Sequence, residues 1–216
     1  RATVARGYQT ITASVAILNS GAATTTCHVT GFSRPPGTGG DGVSLDRAIA
    51  IDDPLLHQDS GYIGFWIQPA WDGNDGQTHR ILRIGDPQQN GLLVEKAATG
   101  MLRYVMASPE KVTAARADVS HWKSGEWHHV VVAWFSKDES PIGLPLWIDH
   151  VAVAGPIAGG CTFLNPETMD DARVWIGDES SDAVMDELIF RRRLDTEGAE
   201  KLKAVVYRDY FRTAPY

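Results

Sequence analysis

The stretch from residue 61 to residue 147 limits most strongly what this chain can fold into. Short apolar segments, rich in aromatic and β-branched residues, occupy positions 61–69, 125–134 and 144–147. Gly, Pro, Asp and Asn separate these segments, which is the pattern of strands joined by turns. The stretch therefore predicts an all-β domain with two antiparallel sheets.

Alternation within the first segment predicts which side chains face the core. Side chains of a strand point alternately to the two faces of its sheet. Ile63, Phe65 and Ile67 share one face and are expected to point into the space between the sheets. Tyr62 and Trp66 are then expected to line the opposite surface.

The rest of the chain predicts further strands and their turns. A hairpin is expected at Thr99-Gly100, and a tight turn with positive φ at Asp149, followed by His150. Residues 108–120 are interpreted as a polar link. Further strands are predicted at 10–18, 43–46, 48–51, 79–84, 91–97, 101–107, 144–153, 173–177 and 183–190.

A length of 216 residues favours one domain with extensions over two domains. Residues 1–40, dominated by Ala, Thr, Ser and Gly, are expected to form an N-terminal arm or edge strand. The β-sandwich is expected to span 41–198, and the end of one short helix and a C-terminal tail 199–216. Asp195 or Thr196 is the expected N-cap of that helix.

Charge and hydropathy narrow the range of partners. A net charge of −7 argues against nucleic acid, because such binding needs a basic face. Membrane insertion is not expected, since no segment approaches the roughly 20 apolar residues of a membrane span. Arg1 in place of Met is expected of a processed or trimmed chain and is compatible with the earlier removal of an export signal. The expected location is extracellular, at a cell surface or at a virion surface. Cys27 and Cys161 permit one disulfide or none.

The order and spacing of four stretches resemble the laminin-G-like branch of the concanavalin A-like lectin and glucanase jelly rolls. These stretches are residues 64–69, 125–130, 146–149 and 185–190, and the resemblance covers about residues 41–205. It implies a two-sheet jelly-roll sandwich with one short C-terminal helix. Members of the family mostly bind glycans or proteins without catalysis, and many hold a structural calcium ion near the rim of a sheet.

By this resemblance, Asp186 and Asp41, with the carbonyl of Gly42, are the expected calcium ligands. Calcium takes six to eight oxygen ligands from carboxylates and carbonyls. The alternative is that Asp41 caps a turn and Asp186 is an ordinary solvated strand residue. A second oxygen-rich cluster at residues 72–75 has turn chemistry as its first explanation.

The acidic and histidine side chains do not form a pattern typical of a hydrolase. Glycosidases need two carboxyl groups roughly 5 to 9 Å apart. Asp186 and Glu187 are adjacent and are expected to point to opposite faces, while Glu95 is the lone acid on its strand. His128 and His129 diverge in the same way, and His129 is expected to pack and bond within the sheet.

The tryptophans are the candidate ligand-binding residues. Trp71 and Trp122 lie in loops or at strand starts, where exposure is expected. Exposed rings stack on the apolar faces of sugars, so Tyr62, Trp66, Trp71 and Trp122 are predicted to form a glycan platform. The remaining strand tryptophans are assigned mainly to packing: Trp127, Trp134, Trp147 and Trp175.

The sequence therefore predicts a non-catalytic, lectin-like module that binds carbohydrate on a cell surface or polysaccharide. The alternative is a structural or interaction subunit of a virion or surface appendage, assembled through residues 1–40 and the C-terminal tail. In that case the partner is a surface protein and no sugar is bound. A glycoside hydrolase is the least favoured function.

Overall fold

The computed structural model describes the central part of the chain and short pieces outside it. The described residues are 15–17, 25–27, 42–51, 60–109, 111–135, 144–149, 151–153 and 173–191. They form two sheets and contain no helix, which confirms the predicted all-β, two-sheet sandwich. The predicted C-terminal helix, most of the 1–40 arm and Cys161 lie outside the described residues.

The first sheet has eight strands in the order β12-β11-β10-β5-β14-β1-β2, with β3 also paired to β14. Its strands are β1 (Val15–Ile17), β2 (Thr25–Cys27), β3 (Val43–Ser44), β5 (Ser60–Pro69), β10 (His128–Phe135), β11 (Leu146–Ile148), β12 (Val151–Val153) and β14 (Ala183–Arg191). Pairing in this sheet is antiparallel except between β1 and β14, which run parallel. β1 and β2 lie within the predicted N-terminal arm and extend the sheet beyond β14. The predicted domain boundaries stay predictions.

The second sheet has six strands in the order β4-β13-β6-β7-β8-β9. Its strands are β4 (Ile49–Ile51), β6 (His79–Asp86), β7 (Asn90–Lys96), β8 (Met101–Ser108), β9 (Lys111–Asp118) and β13 (Val174–Ile176). All of its neighbouring strands are antiparallel, as expected for a chain that returns through short turns.

Burial confirms the alternation predicted for β5. Ile63, Phe65 and Ile67 are fully buried in the core between the sheets. Tyr62 and Trp66 lie on the other side of β5 and belong to a second, smaller apolar cluster. The other members of this cluster are Val131, Ala133, Trp147 and Ile189. Both faces of β5 are therefore apolar, and both are largely covered.

Residues 108–120 do not form the predicted polar link, because β9 occupies most of them. Thr113, Ala115 and Ala117 are buried and alternate with the exposed Val112 and Arg116. This is the period-two pattern of a half-buried strand. Ala and Thr carry little apolar surface, so the pattern is weak in sequence, and pairing with β8 decides the structure.

Two predicted turns are confirmed. Gly100 has a φ of 79° in the β7–β8 hairpin, and Asp149 has a φ of 48° between β11 and β12. Glu187 also has a positive φ, of 48°, and the register of β14 against β5 shifts between Asp186 and Ile189. Such a bulge interrupts the regular alternation that the sequence predicted for Asp186 and Glu187. His150 lies outside the described residues.

Candidate functional site

The two loop tryptophans predicted to be exposed are buried. Trp71 is 5% exposed and Trp122 is fully covered. Their loops pack closely, because Gly73 N donates to Trp122 O at 2.9 Å and a Cβ at Gly73 would lie 1.8 Å from Val119 O. The prediction of exposed loop tryptophans is therefore wrong, since both loops fold onto the end of the sandwich.

Trp71 and Trp122 are instead the middle of a stack of four rings. Trp71 lies 4.5 Å from His79 and 6.3 Å from Trp122, and Trp122 lies 4.0 Å from His128, all between ring centroids. Interplanar angles of 14°, 17° and 2° make the rings almost parallel. Trp71 Nε1 also donates to Ser181 O at 2.8 Å. The stack lies where β5 ends and β6 and β10 begin, and its contacts identify it as a packing element.

A polar network holds the 72–75 loop against this stack. Asp75 Oδ1 accepts hydrogen bonds from Lys96 Nζ and, at 3.0 Å, from Gln77 N. Asp75 Oδ2 lies 2.6 Å from His79 Nε2. Burial alone would raise the pKa of Asp75, but these partners outweigh it and lower the pKa to about 2. The turn and loop chemistry predicted for this cluster is confirmed.

A second carboxylate fixes the other end of the ring stack. Asp149 Oδ2 lies 2.9 Å from His128 Nδ1, and Asp149 Oδ1 accepts a hydrogen bond from His129 N at 2.8 Å. Burial opposes ionisation of Asp149, but these two partners hold its pKa below the usual value. His129 is buried, and its backbone pairs with that of Trp66 in the sheet, so its predicted packing within the sheet is confirmed. Neither histidine completes a catalytic arrangement with a nucleophile in the described part of the chain.

Tyr62 and Trp66 lie on the face opposite the core, but they do not form an exposed platform. Tyr62 is fully buried, and Trp66 keeps partial exposure with its ring 5.0 Å from that of His129. Glu187 lies beside Trp66, and burial, together with the charge of Asp186, raises the pKa of its carboxyl. A covered ring offers no face to a sugar. Of the four predicted platform residues, only Trp66 retains an accessible surface.

Two of the three residues predicted to bind calcium, Gly42 and Asp186, are described by the structure. β3 pairs with β14, and a Cβ at Gly42 would lie 2.4 Å from Val184 Cγ1, so these two neighbourhoods meet. Asp186 Oδ1 accepts a hydrogen bond from Glu187 N at 2.8 Å. Among the described residues no three His, Cys, Asp or Glu side chains group as metal ligands, and Asp41 lies outside them. The described residues do not complete a calcium shell, and this site stays a prediction.

A groove that the sequence did not reveal lies on the outer face of the six-stranded sheet. It has a volume of about 510 Å³. Ile84, Leu92 and Val94 point into the core, so Arg83, Leu93 and Glu95, which alternate with them, point outward. We name it the arginine groove after the charged residues that line it together with Trp175: Arg80, Arg83, Glu95 and Arg103.

Strand register arranges the side chains of the arginine groove in two rows. One row crosses the sheet from Trp175 through Arg83 and Leu93 to Val105. The other runs from Arg80 through Glu95 and Arg103 to Arg116. Directly opposed residues of antiparallel strands are close neighbours on one face. The first row therefore supplies an aromatic and apolar surface, and the second supplies hydrogen-bonding groups.

Glu95 and Arg103 form an ion pair in the second row. Arg103 Nη1 lies 3.2 Å from Glu95 Oε1, and Glu95 is only 7% exposed. Arg103 Nε is shielded from solvent and has no hydrogen-bond partner among the described residues. The Arg103 side chain as a whole is 39% exposed. Arg103 therefore has a donor to spare beyond its pairing with Glu95.

Trp175 is the partly exposed ring of the arginine groove. The guanidinium carbon of Arg173 lies 4.6 Å from its ring centroid, and that of Arg83 lies 5.6 Å from it. Cations are attracted to the face of an indole ring at such distances. These contacts keep two guanidinium groups at the groove and hold the Trp175 ring in place.

A second hollow, of about 540 Å³, adjoins the arginine groove. The two share Ala48, Arg80 and Asp178 in their linings. Arg80 Nη1 lies 3.4 Å from Asp178 Oδ2, so an ion pair stands between the two hollows. Together they form an extended depression with room for more than one ring of a ligand.

Sequence reasoning missed this groove because it followed aromatic residues in loops. A signal was present, since Arg83 and Arg103 stand inside apolar strands, where charged side chains must face solvent or a partner. Trp175 was assigned to packing because it lies inside a strand and not in a loop. Only the order of strands in the sheet brings these residues, distant in sequence, to one face.

Comparison with known proteins gives similarity in structure only. No protein-family model matches the chain. No curated protein matches it either. Membership of the laminin-G-like branch therefore stays a resemblance.

Solved structures share the fold. The sialidase CBM40 of Ruminococcus gnavus bound to α2,3-sialyllactose has a TM-score of 0.51 at 10% identity, over 76% of this chain and 95% of that chain. The binding domain of botulinum neurotoxin DC in complex with SialylT has a TM-score of 0.50 at 10% identity, over 83% of this chain and 45% of that chain. Mouse laminin α1 domains LG4-5 have a TM-score of 0.49 at 14% identity, over 72% of this chain and 44% of that chain. The chain matches less than half the length of the latter two. The first two similarities support a lectin-like β-sandwich fold.

Proposed function

We propose that this chain is a carbohydrate-binding module that holds a glycan in the arginine groove, outside the cell or at a cell or virion surface. The observation that carries the proposal is the pairing of an accessible aromatic ring, Trp175, with the row from Arg80 to Arg116 in one depression. Sugar hydroxyl groups both donate and accept hydrogen bonds. Arg103 donates and the Glu95 carboxylate accepts, so the row matches both roles.

The shape of the site supports the same function. Ligand sites are concave and combine apolar walls with a few polar groups that fix orientation. Leu93 and Val105 provide apolar floor between the charged residues, and Trp175 offers a ring on which the apolar face of a sugar stacks. The adjoining hollow, of about 540 Å³, continues the site beyond Arg80.

Solved structures of the same fold add support of a general kind. The sialidase CBM40 was solved with sialyllactose bound, and the botulinum neurotoxin DC binding domain was solved in complex with SialylT. Their folds match that of this chain at 10% identity, so the assignment of ligand residues rests on the groove and not on these structures.

The test is glycan-array binding by the whole chain, followed by titration of Trp175→Ala with the best glycan. We expect that variant to lose roughly 10-fold or more in affinity, because it loses the stacking surface. Trp66→Ala is the matched control, since Trp66 is the partly exposed ring of the other sheet. Circular dichroism verifies that both variants fold. An array without binding, or loss of affinity in Trp66→Ala alone, would refute the proposal.

A further inference from the structure

We infer, on the basis of the proposed function, that the glycan of the arginine groove carries an anionic group, a carboxylate or a sulfate, bound by Arg83 and Arg103. The two arginines reach the groove from β6 and β8, the strands that flank β7 on either side. A planar guanidinium matches the oxygens of a carboxylate or sulfate through paired hydrogen bonds.

The charge of this face supports the inference. The chain carries a net charge of −7, yet the outer face of the six-stranded sheet presents a group of arginines. They are Arg80, Arg83, Arg103, Arg116 and Arg173. The acids of the same face are Glu95, Asp178 and Asp118, and Glu179 lines the adjoining hollow. A local positive field on an otherwise acidic protein attracts anionic ligands to that face.

Three of these acids already have partners. Glu95 pairs with Arg103, Asp178 pairs with Arg80, and Asp118 accepts a hydrogen bond from Ser120 N at 2.9 Å. Arg83, by contrast, has no carboxylate partner within the described part of the chain, where its Nη1 contacts Gly85 O at 3.4 Å. Within the described residues, no neighbouring acid therefore neutralises the positive charge of Arg83.

Arg103 offers the second contact. Its Nη1 atom is engaged by Glu95, and its Nε atom has no partner in the described residues. The side chain is partly exposed in the groove, and the pair with Glu95 holds the guanidinium over β7. A guanidinium carries five N–H donors, so those beyond the pair with Glu95 are within reach of a ligand in the groove. Glu95 thus positions Arg103, and the anion accepts a hydrogen bond from the Arg103 guanidinium.

The experiment compares lactose, 3′-sialyllactose and 3′-sulfolactose as matched probes, alongside an array of neutral and acidic glycans. We expect acidic glycans to bind roughly 10-fold or more tightly than their neutral counterparts. Raising salt from about 0.05 M to about 0.5 M is expected to weaken only the acidic binding. The sialylated and sulfated probes distinguish a carboxylate from a sulfate as the bound group.

Two groove variants and one control identify the residues. Arg83→Gln and Arg103→Lys are each expected to reduce the affinity for acidic glycans roughly 10-fold or more. Arg103→Lys keeps the positive charge, and its affinity falls because lysine lacks the planar fork of the guanidinium. Lys123→Gln is the control, because it removes one positive charge as Arg83→Gln does. Lys123 lies in a loop at the ring stack, away from the groove. We expect it to bind acidic glycans like the wild type.

Each contrary outcome has a distinct meaning. Equal binding of lactose and its acidic derivatives in the groove overturns the inference and leaves the proposed function intact. Loss of affinity in Lys123→Gln equal to that in Arg83→Gln overturns the inference in favour of non-specific attraction. Tighter binding of a single-stranded oligonucleotide than of any glycan assigns the face to nucleic acid. Absence of binding to every glycan overturns both proposals.

Discussion

Lys96 donates a hydrogen bond from Nζ to Asp75 Oδ1, although the Lys96 side chain is completely buried. Nζ also donates to Gln77 O at 3.1 Å and lies 5.3 Å from the centroid of the Trp71 ring. A charge withdrawn from water needs such partners. One ammonium group on β7 thus fixes the loop that carries Trp71 onto the end of the sandwich.

Replacement of Lys96 by methionine is expected to destabilise the fold by about 3 kcal/mol, because it leaves the carboxylate of Asp75 without its main partner. Urea denaturation measures the free energy of unfolding. Lys123→Met is the matched control, since Lys123 pairs with Asp72 at 3.3 Å in an exposed position and is expected to cost less than about 1 kcal/mol. Equal losses in the two variants would contradict the structural role of Lys96.

Acid is expected to weaken the fold through Asp75. The pKa of Asp75 is lowered from 3.8 to about 2. A carboxyl with a depressed pKa stabilises the folded state fully above its unfolded pKa and loses this contribution as pH falls through the folded pKa. We therefore expect about 2 kcal/mol to be lost between about pH 4 and pH 2.

Urea denaturation at a series of pH values tests this expectation, with Asp75→Asn as the comparison. The variant is expected to be less stable at neutral pH and to show a shallower decline between about pH 4 and pH 2. An identical acid profile in wild type and variant would show that Asp75 does not contribute in this range.

Truncation of Trp122 to alanine is expected to cost about 3 to 5 kcal/mol, because the ring is fully buried between Trp71 and His128. Thermal and urea unfolding measure the loss. Affinity for a glycan is expected to be unchanged under conditions where the variant is folded. If the variant kept its stability but lost affinity for the glycan, the result would support the exposed platform that the sequence predicted.

Calcium is expected, by the resemblance to laminin-G-like domains, to bind at Asp186 with Asp41 and the Gly42 carbonyl. A bound ion stabilises the folded state by mass action, so added Ca²⁺ should raise the melting temperature and a chelator should reverse the rise. Asp186→Asn is expected to abolish the shift, and Asp178→Asn, on the other sheet, to retain it. A melting temperature that does not change with calcium would contradict the prediction of a calcium site at Asp186.

Much of the fold follows from local pattern. In β5 the alternation of Ile63, Phe65 and Ile67 with Tyr62 and Trp66 assigned both faces correctly, because each side chain is large and period two leaves no ambiguity. β9 was missed because its buried positions hold Thr113, Ala115 and Ala117, whose apolar surface is too small to mark a strand.

The candidate site did not follow from local pattern, for two physical reasons. The burial of Trp71 and Trp122 depends on contacts between loops that are far apart in sequence, such as that of Gly73 with Val119. The arginine groove depends on strand order, which brings Arg83, Arg103 and Trp175 to one face from three separate strands. Sequence alone indicates neither the loop contact nor the register.

The most direct test of the account records indole N–H signals by ¹⁵N-labelled nuclear magnetic resonance during titration with the best glycan. Binding in the arginine groove predicts that the Trp175 signal moves with ligand while those of Trp71, Trp122 and Trp66 stay near their free positions. Backbone signals of Arg83 and Arg103 should move with the Trp175 signal. Movement of the Trp66 or Trp71 signal with a stationary Trp175 signal would contradict the assignment of the ligand to this groove.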